Sequence, residues 1–148
     1  MLFLVVLAFL SCAFGLDKSY PFSVCKGQTD LMAVKSVDIV PDVLKCGIMS
    51  NITITATPTV TVNKGSYLSL KVSKLGVVVI DSNFDTCSSL VGASCPIAAG
   101  TPSTLKFQLS LDFKGCIPVS GALAETKAYD EKKKQTTCVD VYVDVAAP

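Results

Sequence analysis

Nucleophilic catalysis through a Ser-His-Asp or Cys-His arrangement needs an imidazole to take the proton, and this 148-residue chain has no histidine. Carboxylate pairs remain as a route to acid–base chemistry, and Asp38, Asp42, Asp81 and Asp85 are the ones that could converge. Their plainer reading is as solvated carboxylates on turns and strand faces. Asp81-Ser-Asn-Phe-Asp85 matches the first five positions of an EF-hand loop, but Thr86 stands where glycine is required and Gly92 where the bidentate glutamate belongs. A zinc site lacks its ligands, since there is no CxxC pair and no histidine. The sequence therefore predicts no catalytic residue, no metal site and no cofactor, and the chain reads as a non-enzyme.

All thirteen basic residues are lysine, balanced by twelve acidic ones. Phosphate recognition normally needs a clustered basic surface with arginine as the bidentate reader, so nucleic acid is not an expected partner. The chain opens on an apolar run from Met1 to Leu10, followed by Ser11-Cys-Ala-Phe-Gly15, in which Ala13 and Gly15 supply a small-x-small cleavage pattern. Residues 1–15 read as a signal peptide, shorter than the ~20 apolar residues of a spanning helix. Residues 16–148 read as one domain, soluble and monomeric, in the secretory pathway: either secreted or in the endosomal/lysosomal lumen. With Cys12 in the leader, Cys25, Cys46, Cys87, Cys95, Cys116 and Cys138 remain, which implies three disulfides in an oxidising compartment. Spacing alone leaves their pairing open.

The elements that position these residues show the two-residue period of half-buried strands. Thr104 to Lys114 alternates strictly, with Leu105, Phe107, Leu109 and Phe113 on one face. Asn51 to Val62 puts Ile52, Ile54, Ala56, Val60 and Val62 on one face, with Pro58 at a bend or edge. Tyr67 to Val72 buries Leu68 and Leu70 after a turn at Asn63-Lys-Gly65, and Val139 to Val145 buries its four valines, Val141 among them. Weaker strand signals cover Val34 to Ile39, Val77 to Ile80 and Ala122 to Ala128, with Asp81 to Ser103 left as a long irregular segment. About seven short strands without a helical period predict an all-β fold, an immunoglobulin-like two-sheet antiparallel β-sandwich, although the inter-sheet tryptophan of true immunoglobulin domains is missing. Glu131-Lys-Lys-Lys134 reads as a hairpin tip, a solvated turn or a contact for anionic head groups. Asn51-Ile-Thr53 is an N-glycosylation sequon. The apolar strand faces fit either a packed core or a core split by a cavity for an apolar ligand.

Several stretches, in order, resemble one family. Asn83-Phe-Asp-Thr-Cys87 with Cys95-Pro-Ile-Ala-Ala-Gly100 looks like the D-x-C loop and CPI-x-x-G segment of the ML domain. Val37-Asp-Ile-Val-Pro41, Ile117-Pro-Val-Ser-Gly121, Lys127-Ala-Tyr-Asp130 and Thr137-Cys-Val-Asp-Val141 are similar to its second strand, its I-P-x-G turn and its closing hairpin. This lipid-recognition family includes the Niemann-Pick type C soluble sterol carrier, mite group-two allergens and phosphatidylglycerol/phosphatidylinositol transfer proteins. The resemblance implies Cys25–Cys138 and Cys87–Cys95 pairs, with Cys46–Cys116 as the third. A single Cys46 stands where the sterol carriers have two nearby cysteines, which favours the phospholipid-transfer branch.

The implied ligand is a lipid, phospholipid or alternatively sterol, held between the sheets and exchanged through transient membrane contact. Extracting a two-chain phospholipid gives up about 0.8 kcal/mol per methylene, on the order of 20 kcal/mol in all, so the carrier must enclose the chains. The implied pocket is lined by Val37, Ile39, Ile54, Val60, Leu68, Leu70, Val79, Leu105, Phe107, Leu109, Val139 and Val141, with Phe84, Ile97 and Phe113 as mouth residues. The rival reading from another class is an extracellular recognition module with a solid core.

Overall fold

The computed structural model describes residues 19–111 and 116–148. The expected leader at 1–15 with its Cys12, and Phe113, lie outside the described residues. Nine strands follow in order: β1 (Phe22–Val24), β2 (Val34–Val40), β3 (Leu44–Lys45), β4 (Met49–Ala56), β5 (Tyr67–Lys74), β6 (Val77–Asp85), β7 (Ser103–Ser110), β8 (Val119–Tyr129) and β9 (Gln135–Ala146). They form two sheets, a six-stranded one ordered β1-β9-β8-β5-β6 with β3 added against β9, and a three-stranded one ordered β2-β4-β7. All pairings are antiparallel except the short β3–β9 contact. This is the immunoglobulin-like sandwich that the alternation predicts, and among the described residues no helix is long and apolar enough to cross a membrane.

Alternation dictates which face each strand buries. Leu105, Phe107 and Leu109 of β7 and Val139, Val141, Val143 and Val145 of β9 are all buried, while their polar neighbours Lys106, Gln108, Tyr142 and Asp144 are exposed. On β4 the inward set is Ser50, Ile52, Ile54 and Ala56. That strand stops at Ala56, and Pro58, which has no N–H for a ladder, is fully buried just beyond it. Val60 therefore does not continue the strand: it sits half-buried in the connection, and only Val62 returns to the core, bridging Ile97.

Strand β6 runs five residues further than the apolar signal at Val77 to Ile80, because its polar residues are held by β5 through the pairs Lys71↔Asp81, Ser69↔Asn83 and Tyr67↔Asp85. Polar composition hides such a strand; backbone pairing supplies it. The register steps from Val72↔Ile80 to Ser73↔Val78, so Val79 is the extra residue of a bulge, and Ile80 takes the buried place. The strands β1 and β3 carry too few residues to show a period, and they form because β9 offers partners on that side.

The three disulfides are Cys25–Cys138, Cys46–Cys116 and Cys87–Cys95, with Cα separations of 5.3, 5.8 and 5.5 Å. The first ties β1 to β9 within the large sheet. The second joins the two chain crossings between the sheets at one end of the sandwich, before β4 and before β8. The third closes the loop after β6, whose Ser89 carbonyl accepts from Lys106 N (2.7 Å) and whose Val91 N donates to Thr104 O (2.9 Å), so the loop covers the first half of the open edge of β7. The chain-entropy relation for loops of 113, 70 and 8 residues predicts losses of about 5, 4 and 2.5 kcal/mol on removing each bridge. Paired Cys→Ala variants should therefore lose denaturant stability in that order; urea unfolding reads it directly.

Candidate functional site

Between the sheets lies a cavity of about 50 Å³. Its origin can be read from β8, the strand at the centre of the large sheet. The inward residues there are Ala122, Ala124, Thr126 and Ala128, and all but Ala122 line the cavity. Stacked sheets keep a spacing of about 10 Å. Side chains of one to three heavy atoms on the central strand do not reach across it. The facing residues Ile52, Ile54 and Ala56 of β4 and Leu105, Phe107 and Leu109 of β7 fill only part of the gap. From the large sheet, Leu68, Leu70 and Val72 of β5 and Val139, Val141 and Val143 of β9 complete the wall, with Val37 and Ile39 of β2 beside Met32, Val34 and Leu44.

The wall is apolar apart from two hydroxyls, Thr126 and Thr137. Thr137 Oγ1 accepts from Met32 N (3.1 Å) and donates to Asp30 Oδ1, so it ties the entering chain to β9. Among the described residues no charged group touches the space. The ionisable groups with displaced protonation lie outside it. Burial, helped by a hydrogen bond to Asp42, raises the Tyr20 phenol to about 12. Burial also raises the Asp140 carboxyl, with Glu125 opposing its ionisation. Lys127 is held charged by the Glu125 carboxylate at 2.7 Å. Cys25, Cys138, Glu125 and Asp140 bring potential ligand atoms within 4.8 Å of one another. The two sulfurs are joined as a disulfide and offer no thiolate, which leaves two carboxylates with a lysine beside them and no adequate metal cradle.

The residues expected to line a pocket separate into two groups. Val37, Ile39, Ile54, Leu68, Leu70, Leu105, Phe107, Leu109, Val139 and Val141 border the cavity. Val60 does not, because the strand it was assigned to ends before it; nor does Val79, displaced by the bulge. Phe84 packs on Phe107 with ring centroids 4.5 Å apart and closes the side between β6 and β7. Ile97 is buried against Val62 at the same end. Neither Phe84 nor Ile97 borders the cavity.

The carboxylates Asp38, Asp81 and Asp85 are spread over the edge strands of different sheets, and Asp42 bonds Tyr20. Asp81 to Asp85 are extended along β6, so they cannot wrap an ion as an EF-hand loop does. Backbone and side-chain donors of Ser88 instead hold the Asp85 carboxyl below its usual range. The strongest signal missed in the sequence is the small-residue alternation Ala122-x-Ala-x-Thr-x-Ala128, which marks where a sandwich interior is left unfilled.

A family model described as ML domain matches residues 19–145. A phosphatidylglycerol/phosphatidylinositol transfer protein of Cryptococcus neoformans var. neoformans serotype D is 26% identical over 133 residues, covering 86% of this chain and 72% of that protein. Among solved structures, a Niemann-Pick type C2 protein from Japanese carpenter ant superposes with a TM-score of 0.67 at 16% identity, over 86% of this chain and 100% of the other. The C-terminal domain of wzt superposes with a TM-score of 0.55 at 12% identity, over 86% and 78%. Filling the cavity tests what it holds: Ala124→Leu should keep the fold, leave the thermal midpoint within a few degrees, and weaken uptake of a soluble apolar dye about tenfold or more.

Proposed function

The chain belongs to the ML domain family, and on that premise we propose that it is a non-catalytic lipid carrier that encloses the apolar part of one phospholipid, phosphatidylglycerol or phosphatidylinositol, between its sheets. The observation that carries this reading is the apolar cavity, which among the described residues has no charged group on its wall. Dry cavities with such walls favour apolar guests over water. At about 50 Å³ the space is far below the roughly 300–1,000 Å³ of pockets that enclose drug-sized ligands. Loading therefore requires the sheets to part.

The geometry supports such an opening. The three-stranded sheet meets the larger one through side-chain packing around the cavity, and the Cys46–Cys116 bridge holds both crossings at one end while the walls move. Guest methylenes then replace wall-to-wall contacts at about 0.8 kcal/mol each, which offsets the separation. The similarity to the Cryptococcus transfer protein supports the phospholipid choice, as does the lone Cys46 in the sequence pattern. The proposal includes a cleaved leader at residues 1–15, passage through the secretory pathway, a monomeric state, and a glycan on Asn51. Asn51 is half-buried on the polar side of β4, where its side-chain oxygen accepts from Gln108 Nε2 at 3.3 Å.

Native mass spectrometry of protein secreted from a eukaryotic host, with organic extraction of what accompanies it, tests the whole reading. The expected mass is that of residues 16–148 with one phospholipid and a glycan sensitive to amidase. A co-purifying sterol would move the chain to the sterol-carrying branch. A bare chain that also takes nothing from liposomes would sink the carrier reading.

A further inference from the structure

Two-residue hairpin turns with both central residues at positive φ favour Asn or Gly, which enter the left-handed region at least cost and leave the tip soluble. The turn between β5 and β6 has Leu75 at φ 50° followed by Gly76 at φ 80°. Leu75 is 94% exposed. An apolar side chain in water and a bulky residue in the left-handed region are both unfavourable, and asparagine would relieve both. Outliers of this kind collect where function demands them.

Leu75 is not isolated. Strand register and the Cys46–Cys116 bridge put Val40, Ile48, Met49, Val77 and Ile117 at the same end of the sandwich, all exposed. Among the described residues the large exposed apolar side chains elsewhere are few: Val24, Val91 and Tyr142. The cavity spans the sandwich from Met32, Ala128 and Thr137 at the far end to Leu44, Leu109 and Val143 at this one. Ser50, on the inward face of β4 here, is fully buried with its hydroxyl unpartnered, a donor that an ester carbonyl of an entering lipid would satisfy.

Resting on the carrier reading, we propose that this end docks on a lipid bilayer, with Leu75 as the leading contact, and that the lipid passes between bilayer and cavity there. The apolar residues stand on separate tips, the β5–β6 turn, the 46–49 connection and the approach to β8, and not on a flat strip. Separate tips penetrate a fluid surface but meet a second folded chain at points only. Lys45 and Lys74 flank them, with the Lys74 ammonium held on Gly121 O at 3.0 Å. Among the described residues the side-chain carboxylates of this end are engaged, Asp144 by Ser120 Oγ and Gly121 N and Asp42 by the Tyr20 hydroxyl. Docking thus faces away from Lys132, Lys133 and Lys134, which occupy the hairpin at the other end.

The test is co-sedimentation of the secreted chain with vesicles of equal parts phosphatidylcholine and phosphatidylglycerol, comparing wild type with Leu75→Asn and with Leu75→Asn/Val77→Thr. The single variant should bind vesicles about tenfold more weakly and the double variant weaker still. Its thermal midpoint should be equal or higher, and uptake of a soluble fluorescent fatty acid should be unchanged. Vesicle binding that survives both variants overturns the proposal. So does binding that is lost instead on charge reversal of Lys132, Lys133 and Lys134, or a Leu75-dependent dimer in sedimentation velocity, which would make the occupant a second copy. If no apolar probe enters the cavity while vesicle binding still depends on Leu75, the carrier reading fails and the docking face stands.

Discussion

The spacing between two stacked sheets is set by the side chains that meet in the middle, and here the central strand of the larger sheet brings too little. Three alanines and a threonine alternate along the inner face of β8. The neighbouring strands hold the sheets apart with Leu, Val, Ile and Phe, so the shortfall over β8 cannot be taken up by local collapse. A core packed to ordinary density would be more stable, by the general rule that unfilled volume costs free energy. The absence of that filling is coherent with a molecule whose interior must be available to a guest.

Everything else in the fold serves to keep that underfilled interior from collapsing or unravelling. Val139, Val141 and Val143 of β9 form one part of the wall, and β9 is itself held on both sides, by β1 and β8. The Cys25–Cys138 bridge fixes the first strand to it. Phe84 on Phe107 closes the flank where the edge strands of the two sheets meet. Among the described residues charged side chains are confined to the outside, where partners such as Glu125 and Lys127 compete with solvent and contribute to solubility more than to fold.

Much of this was legible in the sequence, because a two-residue period reports directly which side chains face the core. The inward residues of β4, β5, β7 and β9 follow from alternation alone. Pairing information is what alternation lacks. The polar half of β6 is a strand because β5 lies beside it, the bulge at Val79 is visible only in the register, and β1 and β3 are too short to carry a period. Volume is equally hidden: a run of alternating alanines reads as a weak strand, and its meaning emerges only when the facing residues are known. The disulfide pairing implied by family resemblance is the one present, although spacing alone could not choose it.

The loop closed by Cys87 and Cys95 also has a meaning beyond its own stability. Its residues Ser89 and Val91 hydrogen-bond to Lys106 and Thr104, so the first half of the outer edge of β7 is a sewn hem and not a row of vacant donors and acceptors. A strand edge left bare would offer itself to any passing strand and invite edge-to-edge association. A bridge spanning 8 residues contributes less to global stability than the two longer ones by the entropy argument, yet it fixes the hem to the end of β6. Its selective value would then lie in shelf life at high concentration, a property invisible to a melting curve.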